Sequence, residues 1–141
     1  MDDGISIGRI DPDSGERFQP LRRQLGVSAF GMNLITLQPG QCGRIHSHAE
    51  QEEVFLVLEG ELSLGVEGDE HRLGEGELVR VAPGVRRQLV NRRPQRLVLL
   101  ALGGSGEHTG RDGQAWASWD ATASTPPQET PLPDDVPVEQ D

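Results

Sequence analysis

The sequence predicts an all-β fold, an antiparallel barrel or double-sheet jelly roll. Short apolar runs recur from Val27 onward, glycine-containing turns separate them, and no amphipathic helical pattern is long enough to alternate with them. The runs are Ala29 to Leu37, Val54 to Leu58, Glu61 to Val66, Leu78 to Ala82, Gln88 to Asn91 and Arg96 to Leu102. Between them, Pro39-Gly40, Glu59-Gly60, Glu67-Gly68-Asp69, Gly74-Glu75-Gly76 and Pro83-Gly84 supply residues that tolerate tight or φ-positive turns.

In chain order, residues 1–22 form an N-terminal arm. Ile5 to Ile10 is its one strand candidate, read as an added edge strand, and a polar loop follows to Pro20. Residues 23–104 hold the barrel. Residues 105–141 form an irregular acidic tail, whose Pro-rich end from Thr125 to Asp141 cannot build a packed core by itself. Trp116 and Trp119 lie within the tail and are expected to clip it onto the barrel or a neighbouring subunit.

Length and composition bound the rest. A chain of 141 residues is one domain with tails, long enough to bury a core, although only 34% of it is apolar and 4% aromatic. The acidic start Met-Asp-Asp-Gly is unlike a secretory signal, and the longest aliphatic run, Leu97 to Leu102, is too short to cross a bilayer; a cytoplasmic protein with no membrane role is expected. A single cysteine, Cys42, rules out an intrachain disulfide and agrees with a reducing compartment.

The net charge of −10 is unevenly placed: after Arg111 come seven acids and no base. All 13 bases are arginines, and Arg80, Arg86, Arg87, Arg92, Arg93 and Arg96 fall in a stretch free of carboxylates. Such a cluster could recognise an anion, but a solvated strand face or inter-subunit ion pairs is the simpler reading for most of them. Overall acidity and the absence of lysine and tyrosine argue against nucleic acid as a partner.

The chemistry concentrates in Gly40 to Glu53. If the strand is regular, parity puts Cys42, Arg44, His46 and His48 on one face, and two imidazoles can then share an ion at roughly 2.1 Å from each nitrogen. Glu53 opens the next strand on the face of Phe55 and Val57, whereas Glu52 points the other way. Two histidines and a carboxylate suit iron, zinc, manganese or nickel. Cys42 could be a pocket-facing thiol, but a small buried hydrophobe is the ordinary role of a lone cysteine. His71 and His108 have no constellation around them, and Gly103-Gly104-Ser105-Gly106 lacks the lysine and helix of a phosphate loop.

Gly40, His46, His48, Glu53 and Gly60, spaced G-x5-H-x-H-x4-E-x6-G, resemble the first motif of the cupin superfamily, and Val54 to Leu62 resembles its hairpin. With the second motif the resemblance covers about residues 27–102. It implies a double-stranded β-helix (jelly-roll) barrel that carries a metal on inward-facing strands, binds a small molecule and pairs as a homodimer through edge strands. Phe55 and Leu89 are then candidates, with Cys42, for lining the pocket.

The second motif departs from the family pattern G-x5-P-x-G-x2-H-x3-N. Gly76, Gly84 and Asn91 are in register and Pro83 is displaced by one, but Arg87 stands where the family has its fourth ligand, a histidine. Arginine cannot ligate a metal at ordinary pH. A guanidinium ~4.5 Å from a divalent ion would be repelled by on the order of 7 kcal/mol at an effective dielectric of ~20. Three arrangements follow. Arg87 swings aside, an anionic ligand bridges it to the metal, or Arg87 takes the ion's seat and pairs with Glu53. The leading expectation is a cupin holding a divalent metal on His46, His48 and Glu53, with Arg87 and Arg44 receiving an anionic group of a small-molecule ligand. The competing readings are a metal-free anion-binding or sensory module, a metal-dependent dioxygenase or isomerase, and a structural dimer module with a vestigial pocket.

Overall fold

The computed structural model describes residues 3–104 and 112–140. Among the described residues ten strands and one short α-helix follow in chain order, β1 (Phe18–Pro20), α1 (Leu21–Leu25), β2 (Gly31–Leu37), β3 (Ile45–His48), β4 (Glu52–Glu59), β5 (Leu62–Val66), β6 (Asp69–Leu73), β7 (Leu78–Val81), β8 (Arg87–Val90), β9 (Leu97–Gly104) and β10 (Gly113–Trp116), with a single 3₁₀ turn at Pro127–Glu129. They form two five-stranded antiparallel sheets, ordered β1-β2-β9-β4-β7 and β10-β3-β8-β5-β6. The first five apolar runs after the arm thus correspond to β2, β4, β5, β7 and β8, and the last to β9.

Period-two patterning drives the inner faces of the two sheets together. Ile35, Leu37, Phe55, Val57, Leu97 and Leu99 from the first sheet meet Leu62, Leu64, Leu73 and Leu89 from the second in one core. The opposite face of β2 and β9 would be left wet but for α1, whose Leu21 packs with Leu34 and Val98. That helix ends at Gly26, whose φ of 75° supplies the left-handed cap.

One turn constrains the barrel closely. Gly60 joins β4 to β5 at φ 85°, and a Cβ there would run into the Arg96 carbonyl and stand 3.1 Å from Leu97 Cα. Only glycine tolerates both the dihedral and the approach of β9.

Both ends differ from expectation. Ile5 to Ile10 pairs with nothing among the described residues: Ile5 and Ile7 are 71% and 91% exposed, and the edge of the first sheet is β1, inside the span expected to be a polar loop. The Arg9 carbonyl accepts from the Gln24 side-chain amide, but no neighbouring strand offers the segment a ladder. The tail, expected to be irregular, contains β10, which pairs with β3 from Gly113↔His48 to Trp116↔Ile45. Its tryptophans hold it there: the Arg86 guanidinium lies 5.4 Å from the Trp116 ring and 5.7 Å from that of Trp119, and Trp119 packs over Gly65. The second half of the tail returns along the barrel, where the Val136 amide donates to the Gly40 carbonyl and Glu139 pairs with Arg72.

The arginine stretch is mostly a solvated face. Arg80 pairs with Glu52, Arg86 with Glu67, Arg92 with Glu70, Arg93 with Glu139, and Arg96 with Glu59 and Asp13. Among the described residues no helix is long and apolar enough to cross a membrane. Gly103 and Gly104 end β9, and Ser105, Gly106 and His108 lie outside the described residues.

Gly60→Ala is expected to destabilise the protein by at least about 2 kcal/mol, combining left-handed strain with a backbone clash. Urea denaturation of the two proteins checks this.

Candidate metal centre

Two sheets contribute to the centre. β3 presents His46 and His48 from the second sheet, and β4 brings Glu53 across the interior from the first. Alternation explains which side chains arrive: Ile45 and Ser47 turn the other way, and Glu52 leaves to pair with Arg80. His46 Nε2 stands 3.5 Å from Glu53 Oε1 and His48 Nε2 3.6 Å from Oε2, and the three potential ligand atoms all lie within 4.8 Å of one another.

The other ring nitrogens decide what these atoms can do. His46 Nδ1 lies 3.1 Å from the Arg44 carbonyl, and His48 Nδ1 lies 2.8 Å from Asp112 Oδ1. Both partners are acceptors, so both Nδ1 atoms donate; a neutral ring then turns its Nε2 lone pair toward the Glu53 carboxylate, and a protonated one donates its Nε2–H to it. Glu53 Oε1 is buried and accepts no hydrogen bond. With neutral rings three acceptors converge, and a cation between them, proton or metal ion, would satisfy all three. A divalent ion fits this donor set, with His46, His48 and Glu53 as the residues that would hold it.

Asp112 is the residue that sequence reasoning missed. It lies just ahead of β10, accepts from the Glu50 and Gln51 backbone amides and from Gln51 Nε2, and orients His48. The one cue was its position just before Gly113 and the apolar run Ala115-Trp116-Ala117; nothing local tied it to residues 60 positions earlier.

Charge follows the geometry. Burial raises the Glu53 carboxyl, but the two imidazoles beside it more than reverse this and hold it well below the usual carboxylate range. Burial lowers His48, and the carboxylates of Glu53 and Asp112 on its two nitrogens outweigh that and leave it raised. Burial raises Asp112, and the Glu50 amide and His48 bring it below its ordinary value.

Arg87 neither swings aside nor reaches solvent. Paired opposite His46 across β3 and β8, its side chain is 0% exposed, with Nε 3.8 Å from Glu53 Oε1 and Nη2 3.4 Å from the Ala82 carbonyl. Its Nε and Nη1 make no hydrogen bond among the described residues, so Glu53 is met as an ion pair only. Burial pushes the guanidinium below its ordinary value, opposed by Glu53 and Asp112.

A cavity of about 250 Å³ stands over the centre, walled by Phe18, Ile35, Phe55, Leu89 and Ala101 with Arg44 at the side. Phe55 and Leu89 therefore line it. Arg44 does too, but its Nε is committed to the Thr130 carbonyl at 2.6 Å. Cys42 is not among the lining residues: it is buried in a bridge to Val90, and burial pushes its thiol up. β3 begins only at Ile45, so the parity that placed Cys42 with the histidines does not extend back to it. A second cavity, of about 210 Å³, shares Asn33, His48, Glu53 and Ala101 with the first and opens toward α1.

Replacing Asp112 with Asn should weaken metal binding roughly 10- to 100-fold by loosening the His48 tautomer, measured by competition with a chromophoric chelator. Protons and metal compete for His48 Nε2. The raised His48 pKa contributes stability to the metal-free fold that is fully present below the unfolded value and lost as pH rises through the folded one; metal affinity runs the other way. Lowering pH from about 8 to 6 should therefore weaken metal binding, approaching about tenfold per unit below the folded His48 pKa. A pH series of the same competition assay checks the sign.

Comparison with known proteins agrees with the geometry. The cupin domain family model matches residues 33–103, about half of the chain. A sugar phosphate isomerase of the cupin superfamily from Silicibacter pomeroyi is 27% identical, with a TM-score of 0.65 over 89% of this chain and 96% of that one. A structure from Acidithiobacillus ferrooxidans is 26% identical at a TM-score of 0.59 over 67% of this chain, which spans only 60% of that longer protein. A cupin protein from Bacteroides fragilis, 18% identical over 85% of this chain and 97% of its own, shares the fold at a TM-score of 0.65. No curated protein matches the chain. The family match, together with two facing sheets that bring His46, His48 and Glu53 to one point, establishes that this chain belongs to the cupin superfamily.

Proposed function

We propose that this cupin binds a small anionic molecule at a divalent metal held by His46, His48 and Glu53, and that its chemistry is of the isomerase type. The observation that carries the metal is the convergence of two Nε2 lone pairs and a carboxylate with both Nδ1 positions already committed. A bound metal supplies polarisation of a ligand oxygen. The chain's own part is to shape the space: Phe55, Leu89 and Ile35 form an apolar wall that excludes water, and Asn33 offers an amide on the open side. The reaction class rests on the likeness to the Silicibacter pomeroyi protein, named a sugar phosphate isomerase.

A second reading has one specific observation in its favour. Arg87 is a buried permanent cation 3.8 Å from Glu53 Oε1, so it already supplies part of the positive charge that the carboxylate needs. In that reading the protein is a metal-free module recognising an anion. Homodimerisation through the sheet edges is part of the proposal under either reading.

Elemental analysis after expression in medium supplemented with iron, zinc and manganese tests the metal. About one equivalent per chain is expected, falling sharply in His46→Ala; a content near zero in the parent protein would sink the metal reading. Arg87→His separates the alternatives. A rise in metal affinity of about 100-fold or more is expected if Arg87 has displaced the ion, and an unchanged affinity would count against displacement.

A further inference from the structure

The cavity that opens toward α1 is lined by Arg22 and Arg23 together with Gln51, His48 and Glu53. Arg9 apart, these two differ from the other described arginines, and unlike Arg9 they line this cavity. Every arginine from Arg72 to Arg96 meets a carboxylate, and Arg17 and Arg44 each meet a backbone carbonyl. Neither guanidinium of α1 meets an acceptor among the described residues, and Arg22 Nε is shielded from solvent as well. In a chain carrying 23 acids and 13 bases, adjacent cations left without a partner beside a cavity are unusual.

Their setting points in one direction. α1 is fixed over the rim by Leu21, which is only 4% exposed and packs on Leu34 and Val98, so the arginines are carried on an anchored element. Gly103 lies at the same rim, where a Cβ would press within 3.2 Å of the Glu52 carbonyl and 3.4 Å of Gln51 Oε1. The two arginines expected from the sequence to receive an anion are otherwise engaged: Arg87 lines neither cavity and faces Glu53, and Arg44 holds Thr130. Each cavity alone is small beside the roughly 300–1,000 Å³ of small-molecule sites. A ligand that spans both would place its neutral part against Phe55 and Leu89 and its charged end at α1.

We propose that Arg22 and Arg23 form the oxyanion subsite of this cupin, binding the phosphate or carboxylate of a ligand whose other end lies at His46, His48 and Glu53. The inference rests on the proposed small-molecule site for the second end of the ligand, not for the anion itself. Guanidinium groups suit such an oxyanion because they donate paired hydrogen bonds and keep their charge. Glu53 and Asp112 would repel an anion placed directly among them, which favours a subsite at the rim.

The test uses the full chain, with inorganic phosphate and malonate as separate probes in low-salt buffer, reading the rise in melting temperature with probe concentration. Phosphate or malonate should stabilise the parent protein and Arg44→Gln alike, and the stronger of the two identifies the source of the oxyanion. Apparent affinity should fall about tenfold in Arg22→Gln or Arg23→Gln and further in the double variant. Because neither side chain holds a partner, the melting temperature without probe should stay at the parent value, and Arg23→Glu provides a second variant that reverses charge at an exposed position. Stabilisation that is absent in the parent, or unchanged in the double variant, overturns the subsite. Metal content measured on the same samples keeps the two ideas apart. Arginine-dependent binding in protein without metal upholds the subsite while the metal reading falls, and arginine-independent binding in metal-loaded protein does the reverse.

Discussion

Convergence of three acceptors from opposite sheets is the constraint on which the rest of this structure depends. His46 and His48 arrive from β3 and Glu53 from β4, and their ligand atoms gather within 4.8 Å. A carboxylate and two imidazole lone pairs in a mostly buried space cannot satisfy one another by hydrogen bonding. They call for positive charge, which a proton or an ion at the histidines can supply directly, while the guanidinium of Arg87 adds its own from 3.8 Å away. The two-sheet architecture, the register that places Arg87 opposite His46, and the hydrogen bonds that turn both imidazoles the same way all bear on that point.

The tail is what fixes one of those imidazoles. Asp112 receives four hydrogen bonds, from His48, two backbone amides and Gln51, and it can do so only because β10 is paired to β3. The pairing is in turn held by Trp116 and Trp119, whose rings both lie against Arg86. A contact between two tryptophans and an arginine on the far face of the second sheet thus reaches the centre through one strand. Second carboxylates of this kind fix tautomer and orientation together, and they belong to a metal site as much as its ligands do.

Much of the fold was legible because its signals are local. Val54 to Leu58 and Arg96 to Leu102 alternate or run apolar between glycine turns, and β4 and β9 follow within a residue or two of those bounds. Glu53 rather than Glu52 could be chosen from parity alone. Ile5 to Ile10 shows where the same logic fails: its composition suits a strand, but a strand requires a neighbour, and β1 holds the sheet edge instead. β6 was similarly hidden, since Asp69 to Arg72 are all exposed and polar and become a strand only by pairing with β5.

By itself the sequence determined the candidate set, because two histidines one residue apart and a glutamate at a strand start are placed by the two-residue period of extended chain. It also determined that Arg87 replaces the histidine that the resemblance led one to expect. Only the tertiary structure decided that Arg87 faces Glu53, that Asp112 reaches His48 across 64 residues of chain, and that Arg22 and Arg23 stand at the rim. Those relations depend on which strands become neighbours and on how a short helix settles on a sheet. Long-range pairing of that kind is settled by the packing of the whole core, to which no single stretch of sequence has access.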